Sequence, residues 1–205
     1  MSIQLLQGDC LELMKELPDG SVDAVVTDPP YGVNVASWDK DIPSQAFLDE
    51  CLRVSNGAVV WFGAAPPAQH LAFNTFDPIP ERIYVWHNTF TRTNSEGAFW
   101  QWQPLYVWRK KRFTGMKRDV IAMAAHTGGG KRVHPTQKPV PLMDLLCNAA
   151  TSCKGATILD PFMGSGTTGV ACIKTDRNFI GIEIDEHYCE IAKKRIQEAE
   201  TGGGK

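Results

Sequence analysis

Short apolar runs alternate with stretches of helical period along most of this chain, and that alternation admits few folds. IQLLQ (3–7), VDAVVT (22–27), GAVVWFG (57–63), ATILD (156–160) and NFIGIEID (178–185) have the length and branched content of strands. Helical periodicity follows Asp9, where apolar positions 10, 11, 13, 14 and 17 share a face, and Asp9 with Glu12 matches a capping box. It recurs in SQAFLDECLRVS (44–55), in 66–76, in VPLMDLLCNAATS (140–152), in TTGVACIKT (167–175) and in EHYCEIAKKRI (186–196). RIYVWHN (82–88) and PLYVWRK (104–110) read as paired strands, whereas the Gly, Thr and basic content of 111–133 favours loops. The pattern predicts an α/β fold: a mostly parallel central sheet flanked by helices, with the 82–110 hairpin as its antiparallel edge.

A chain of 205 residues with 43% in the hydrophobic set suits one domain over 1–200 and a flexible tail, TGGGK, at 201–205. No run of about 18 apolar residues and no signal-peptide profile appears, so a soluble cytoplasmic protein with no membrane partner is expected. Six cysteines, at 10, 51, 147, 153, 172 and 189, form no CxxC pair, which predicts neither disulfide nor bound metal.

The net charge of −2 conceals an asymmetry. Residues 1–80 carry 11 acids and 3 bases, 81–140 carry 3 acids and 11 bases, and 141–205 carry 9 acids and 7 bases. The densest part, RKKRFTGMKR (109–118), holds six bases, with Phe90, Phe99, Trp100, Trp102, Trp108 and Phe113 interleaved around it. A charge run alone is most often a solvated face, but a basic, aromatic-rich segment in an otherwise acidic chain points to phosphate-bearing partners.

In open α/β sheets ligands bind beyond the carboxyl ends of the strands, so the residues just after each apolar run matter most. In DPFMGSGTT (160–168) a strand delivers Asp160, glycines 164 and 166 allow a tight turn, and a helix then presents free N–H groups. No Walker GK[ST] is present, which disfavours ATP hydrolysis. Glu183, 23 residues after Asp160, stands where an acid can accept from ribose hydroxyls. Gly164, Gly166 and Gly169 also spell GxGxxG, so this spacing leaves a dinucleotide open. In TDPPY (27–31) two prolines hold a strand exit in one shape. Asp28 and the Pro29 carbonyl can then accept the two hydrogens of one exocyclic amine, with Tyr31 stacked on the ring that bears it.

DPPY (28–31), HPTQKP (134–139) and DPFMGSGTT, in that order, resemble the S-adenosylmethionine-dependent amino-methyltransferases of DNA, and in particular the permuted β class acting on adenine N6 or cytosine N4. The likeness covers nearly all of Leu5 to Ile196. It implies a Rossmann-like methyltransferase fold in circularly permuted order, with LLQGD at the N-terminus serving as the strand that the C-terminal half lacks. It implies Asp28, Pro29, Pro30 and Tyr31 as the catalytic set. For the cofactor, S-adenosylmethionine, it places Asp160, Phe162, Gly164, Gly166 and Thr167 at the methionine end, Glu183 on the ribose, Asp9 near the adenine, and Thr136 and Lys138 near the methionine carboxylate. His134 fits a structural or a functional role equally, and Trp38 is expected to pack.

The expected activity is methyl transfer to adenine N6 in double-stranded DNA, by direct in-line attack of a flipped base. No metal or covalent intermediate is required. The segment 88–133 is the candidate target-recognition insert, with Arg92, Arg109, Lys110, Lys111, Arg112, Lys117, Arg118, Lys131 and Arg132 on phosphates. Its shortness fits a brief recognition sequence or a homodimer that completes the DNA clamp, and a cognate restriction endonuclease is a further partner the resemblance allows. Asp28 favours adenine, since in this family DPPY usually accompanies N6 chemistry and SPPY cytosine N4. Cytosine N4 is the nearest alternative, ahead of glutamine methylation in proteins, which goes with NPPY, and of a DNA-binding relic without activity.

Overall fold

The computed structural model describes residues 1–31, 44–64, 76–89, 101–109, 112–125 and 137–202. Its strands are β1 (Ile3–Gln7), β2 (Ala24–Thr27), β3 (Val59–Phe62), β4 (Arg82–His87), β5 (Trp102–Trp108), β6 (Val120–Ala122), β7 (Thr157–Asp160) and β8 (Asn178–Glu183). Its helices are α1 (Cys10–Lys15), α2 (Gln45–Val54), α3 (Val140–Ala150), α4 (Thr167–Lys174) and α5 (Glu186–Glu200). The helix expected over 66–76 falls almost wholly outside the described residues.

All eight strands join one sheet in the order β1-β8-β7-β2-β3-β5-β4-β6. β1, β8, β7, β2 and β3 are parallel, and β5 pairs antiparallel with both β3 and β4. Alternation along β2 and β3 sends Ala24, Val26, Val60 and Phe62 into one core layer and Val25, Val59 and Trp61 into the other, so both strands are buried on both faces. α3, α4 and α5 cover the first layer through Leu142, Leu146, Val170 and Ile196, while α1 and α2 cover the second through Met14, Phe47 and Leu48. No helix among the described residues is long and apolar enough to cross a membrane.

The permuted order is visible in the hydrogen bonds. β1, at the start of the chain, pairs in parallel with β8, near its end, with Leu5 beside Gly181 and Gln7 beside Glu183. Chain direction branches between β7 and β2, since β7, β8 and β1 run outward one way and β2 and β3 the other. A branch of this kind leaves a crevice at the carboxyl ends of the two central strands.

The basic half of the chain departs from expectation. Part of 111–133 is a strand, β6, which lies parallel to β4 and forms the sheet's outer edge beyond the hairpin. With β5 and β6 in the sheet, 88–133 is not one insert. The β3–β5 register puts Phe62 beside Leu105 and Val59 beside Trp108, so β5 runs back toward the amino ends of the parallel strands. Arg109 therefore leaves the sheet at the end opposite Asp28. Thr114 N–H donates to Ala149 O (2.8 Å) at the far end of α3, and Phe113 packs on Tyr84 with ring centroids 5.3 Å apart.

Candidate active site

A cavity of about 400 Å³ opens at the branch point, beyond the carboxyl ends of β1, β2, β7 and β8. Among the described residues, Asp9, Asp28, Pro29, Pro30, Tyr31, Lys138, Asp160, Phe162, Gly164, Thr167 and Glu183 all line it, as the sequence motifs anticipated. Thr136 lies outside the described residues, as do His134 and Trp38. Gly166 is the exception. It takes a left-handed φ of 76° as N-cap of α4 and faces α5, where an added Cβ would stand 2.8 Å from that of Ala192. Its requirement for glycine comes from backbone conformation and helix packing rather than from a ligand.

The loop after β7 is held from two sides. Asp160 is buried, and its carboxylate accepts from Thr27 Oγ1 (2.7 Å), Thr168 Oγ1 (2.5 Å) and Phe162 N (3.1 Å). Burial pushes its pKa up to about 6, against these hydrogen bonds, which favour the anion. Glu183 accepts from Gly164 N and Asp185 N, both at 2.9 Å, and burial raises its pKa as well. A carboxylate offers about four lone-pair sites, so Glu183 can hold the loop and still accept from hydroxyls. Asp9 caps α1 through Leu11 N (2.9 Å) and Glu12 N (3.1 Å) while facing the cavity. Only this half of the capping box forms, because Glu12 turns to Lys15 (2.8 Å).

At the mouth of β2, Asp28 is gripped through both oxygens. Tyr31 O–H donates to Oδ1, and Lys138 Nζ forms an ion pair with Oδ2 at 2.5 Å. Gln103, on β5, donates to the Tyr31 hydroxyl at 3.3 Å. The Lys138 ammonium also lies 4.7, 5.8 and 6.0 Å from the ring centroids of Phe62, Tyr31 and Trp86. HPTQKP thus delivers its lysine to the catalytic motif as well as to the cavity wall.

The basic residues divide by place. Arg109 takes φ 56° and donates to Leu52 O (2.7 Å) and Ser55 O, capping the end of α2, so its guanidinium is committed to the fold. Arg112, whose N–H donates to Arg109 O, is exposed at that same end of the sheet, whereas the exposed Lys117 and Arg118 lead into β6, whose Val120 pairs with Val85 toward the cavity end. α3 runs from the cavity to Ala149, and its 11 residues put Thr114, and Arg112 near it, roughly 16 Å from the mouth. Placing Arg109 and Arg112 on DNA around the flipped base is therefore corrected: the antiparallel turn of β5 carries them to the other end. Arg92, Lys110, Lys111, Lys131 and Arg132 lie outside the described residues.

Several lining residues escaped the sequence reading: Phe47, Gln137, Ile184 and Tyr188. Ile184 and Gln137 each adjoin a recognised motif residue, which was the available signal. Phe47 had none, since it reads as one more apolar position on α2.

An α/β sheet with an acid-lined crevice at its branch point, and an Asp-Pro-Pro-Tyr turn at its mouth, defines a class I type methyltransferase arrangement. The DNA methylase family of N6 and N4 methyltransferases matches residues 69–194, and the chain belongs to that family. It is 27% identical over 245 aligned positions to the type II methyltransferase M.HinfI of Haemophilus influenzae, covering 95% of this chain and 68% of that one. It superposes on the crystal structure of the M1.HpyAVI–SAM complex with a TM-score of 0.70 at 28% identity, covering 94% of this chain and 99% of the other. The PvuII DNA methyltransferase, described as cytosine-N4-specific, shares the fold at a TM-score of 0.72 and 15% identity, over 100% and 94% of the two chains.

The residues present fit S-adenosylmethionine, the cofactor of this family. Four carboxylates, from Asp9, Asp28, Asp160 and Glu183, line a cavity that also holds the apolar Phe162, Met163 and Ile184, which suits a cationic nucleoside.

Proposed function

We propose that this DNA methyltransferase methylates the exocyclic N6 amine of adenine, on a base rotated out of the duplex into the mouth beside Tyr31. The observation that carries this reading is the turn after β2, where Asp28, Pro29, Pro30 and Tyr31 all face the cavity that the DPFMGSGTT loop and Glu183 line. An aspartate at this position usually goes with adenine in the family.

The bound cofactor supplies an electrophilic methyl on a sulfonium. The chain's own groups prepare the acceptor. Asp28 and the Pro29 carbonyl accept the two amine hydrogens, drawing the nitrogen lone pair out of conjugation with the ring, and Tyr31 offers its ring face to the base. Rigid proline torsions fix the distance between these two acceptors. Glu183 is assigned to the ribose hydroxyls, and Asp9 to the adenine end beside Leu11.

Phosphate contacts belong to the connections after β4 and β6. His87 and Ala122 pair with each other at the cavity end of the sheet, so the segments following them start there. Arg92, Lys131 and Arg132 are, by sequence, in those segments.

Nucleoside mass spectrometry of unmethylated plasmid DNA incubated with the protein and S-adenosylmethionine tests this, with Asp28→Ala as blank. N6-methyladenine is expected. N4-methylcytosine would keep the mechanism and overturn the base, and no modified nucleoside would overturn the catalytic assignment.

A further inference from the structure

We infer that Lys138 is a positioning residue with two mutually exclusive partners, Asp28 and the amino-acid carboxylate of the cofactor, so that cofactor binding draws the ammonium away from Asp28 and opens it to the target amine. The inference rests on the function proposed above and adds a coupling between the two substrates of that site.

Three observations carry it. The Lys138 ammonium sits 2.5 Å from Asp28 Oδ2, with the two side chains only 7% and 19% exposed. It does so among the rings of Phe62 and Trp86 and 3.4 Å from the Tyr31 hydroxyl, at the edge of that ring. An ammonium and an exocyclic amine are both donors, and with Tyr31 on Oδ1 and Lys138 on Oδ2 the amine meets a competing donor at either oxygen.

Charge supplies the second partner. Among the described residues lining the cavity there are four carboxylates, and Lys138 is the only basic side chain. The cofactor's sulfonium and ammonium suit that lining, but among the charged side chains that line the cavity only Lys138 would attract its carboxylate.

The third observation concerns what can move. Lys138 immediately precedes Pro139, the N-cap of α3, and Leu142 and Met143 anchor that first turn in the core. The backbone is fixed, while a flexible four-carbon stem lets the ammonium change partners by side-chain rotation alone.

Calorimetry on the full chain tests this with S-adenosylmethionine and with 5′-methylthioadenosine, which lacks the amino-acid carboxylate. If Asp28 holds the ammonium in about four molecules of five, Asp28→Asn should bind S-adenosylmethionine about five-fold more tightly than the wild type. The gain should vanish for 5′-methylthioadenosine and in a Lys138→Gln background. Lys138→Met, which keeps the apolar stem between the rings, should behave as Lys138→Gln does. Unchanged or weaker binding in Asp28→Asn, or a gain that persists without Lys138, would overturn the coupling while leaving the methyltransferase reading intact. Failure of the wild type to bind either nucleoside would overturn both.

Discussion

The Thr27 hydroxyl donates to the Asp160 carboxylate at 2.7 Å, joining residues 133 positions apart. This bond ties the last residue of the catalytic strand to the first residue of the cofactor loop, across the point where the sheet branches. Thr168 closes the bridge from α4 at 2.5 Å, so one buried acid fixes the distance between DPPY and the start of that helix.

Stability should depend on pH through this acid. Its folded pKa is raised to about 6 from 3.8, mainly by burial, so the folded protein retains a proton that the unfolded chain has released. The associated stability is full below the unfolded value and is lost as pH rises through about 6. Asp160→Asn should flatten that decline, as read by urea denaturation from pH 4 to pH 7. Thr27→Val removes one hydrogen bond to a buried anion and should lower stability at neutral pH by about 1–3 kcal/mol.

Methyl transfer should fall by at least about a hundred-fold in Asp28→Ala, on the scale of removing one oriented hydrogen-bonding group from a reacting centre. Tyr31→Phe retains the ring and should lose far less than Tyr31→Ala. A tritium-transfer assay checks both, and equal losses in the two tyrosine variants would assign the effect to the hydroxyl on Asp28 instead of to stacking.

DNA binding should separate the two basic groups. Replacing Arg92, Lys131 and Arg132 with Gln should reduce the slope of log K against log salt by up to about 3, roughly one for each phosphate no longer neutralised. Replacing Arg112 should leave it nearly unchanged. Fluorescence anisotropy across a salt series measures both slopes, and the reverse outcome would return Arg112 to the DNA face.

Helix α4 should not tolerate a side chain at Gly169. A Cβ there would meet Ile196 Cδ1 at 2.4 Å and Phe179 Cε1 at 2.8 Å, between α5 and β8. Alanine improves helix propensity by about 1 kcal/mol, but overpacking costs about 1–3 kcal/mol. The steric effect should win, lowering the denaturation midpoint of Gly169→Ala and loosening the loop that begins the helix.

Most of the architecture was legible because it is written locally. The runs at β1, β2, β3, β7 and β8 carry their own length and burial pattern, and the helices their own period. Residues of DPPY and DPFMGSGTT, with Asp9 and Glu183, could be placed because each set lies at or just after a strand end, and a parallel sheet collects its carboxyl ends on one side. Even the permutation was readable, from the order of DPPY, HPTQKP and DPFMGSGTT.

What escaped depends on partners far off in sequence. β6 has only three residues, too few to show a period, and becomes a strand by pairing with β4. Arg109 and Arg112 looked like part of the DNA face until the antiparallel pairing of β5 with β3 placed them at the other end of the sheet. Gly166 looked like a ligand glycine, yet Ala192 is what crowds it, and Arg109 caps α2. Lys138 belonged visibly to a motif, but its meeting with Asp28, 110 positions away, is an outcome of the fold. Periodicity and turn chemistry act between near neighbours and survive in the bare sequence. The direction of a strand, the end of a sheet, and the partner of a buried charge are set by non-local packing, which only the tertiary structure decides.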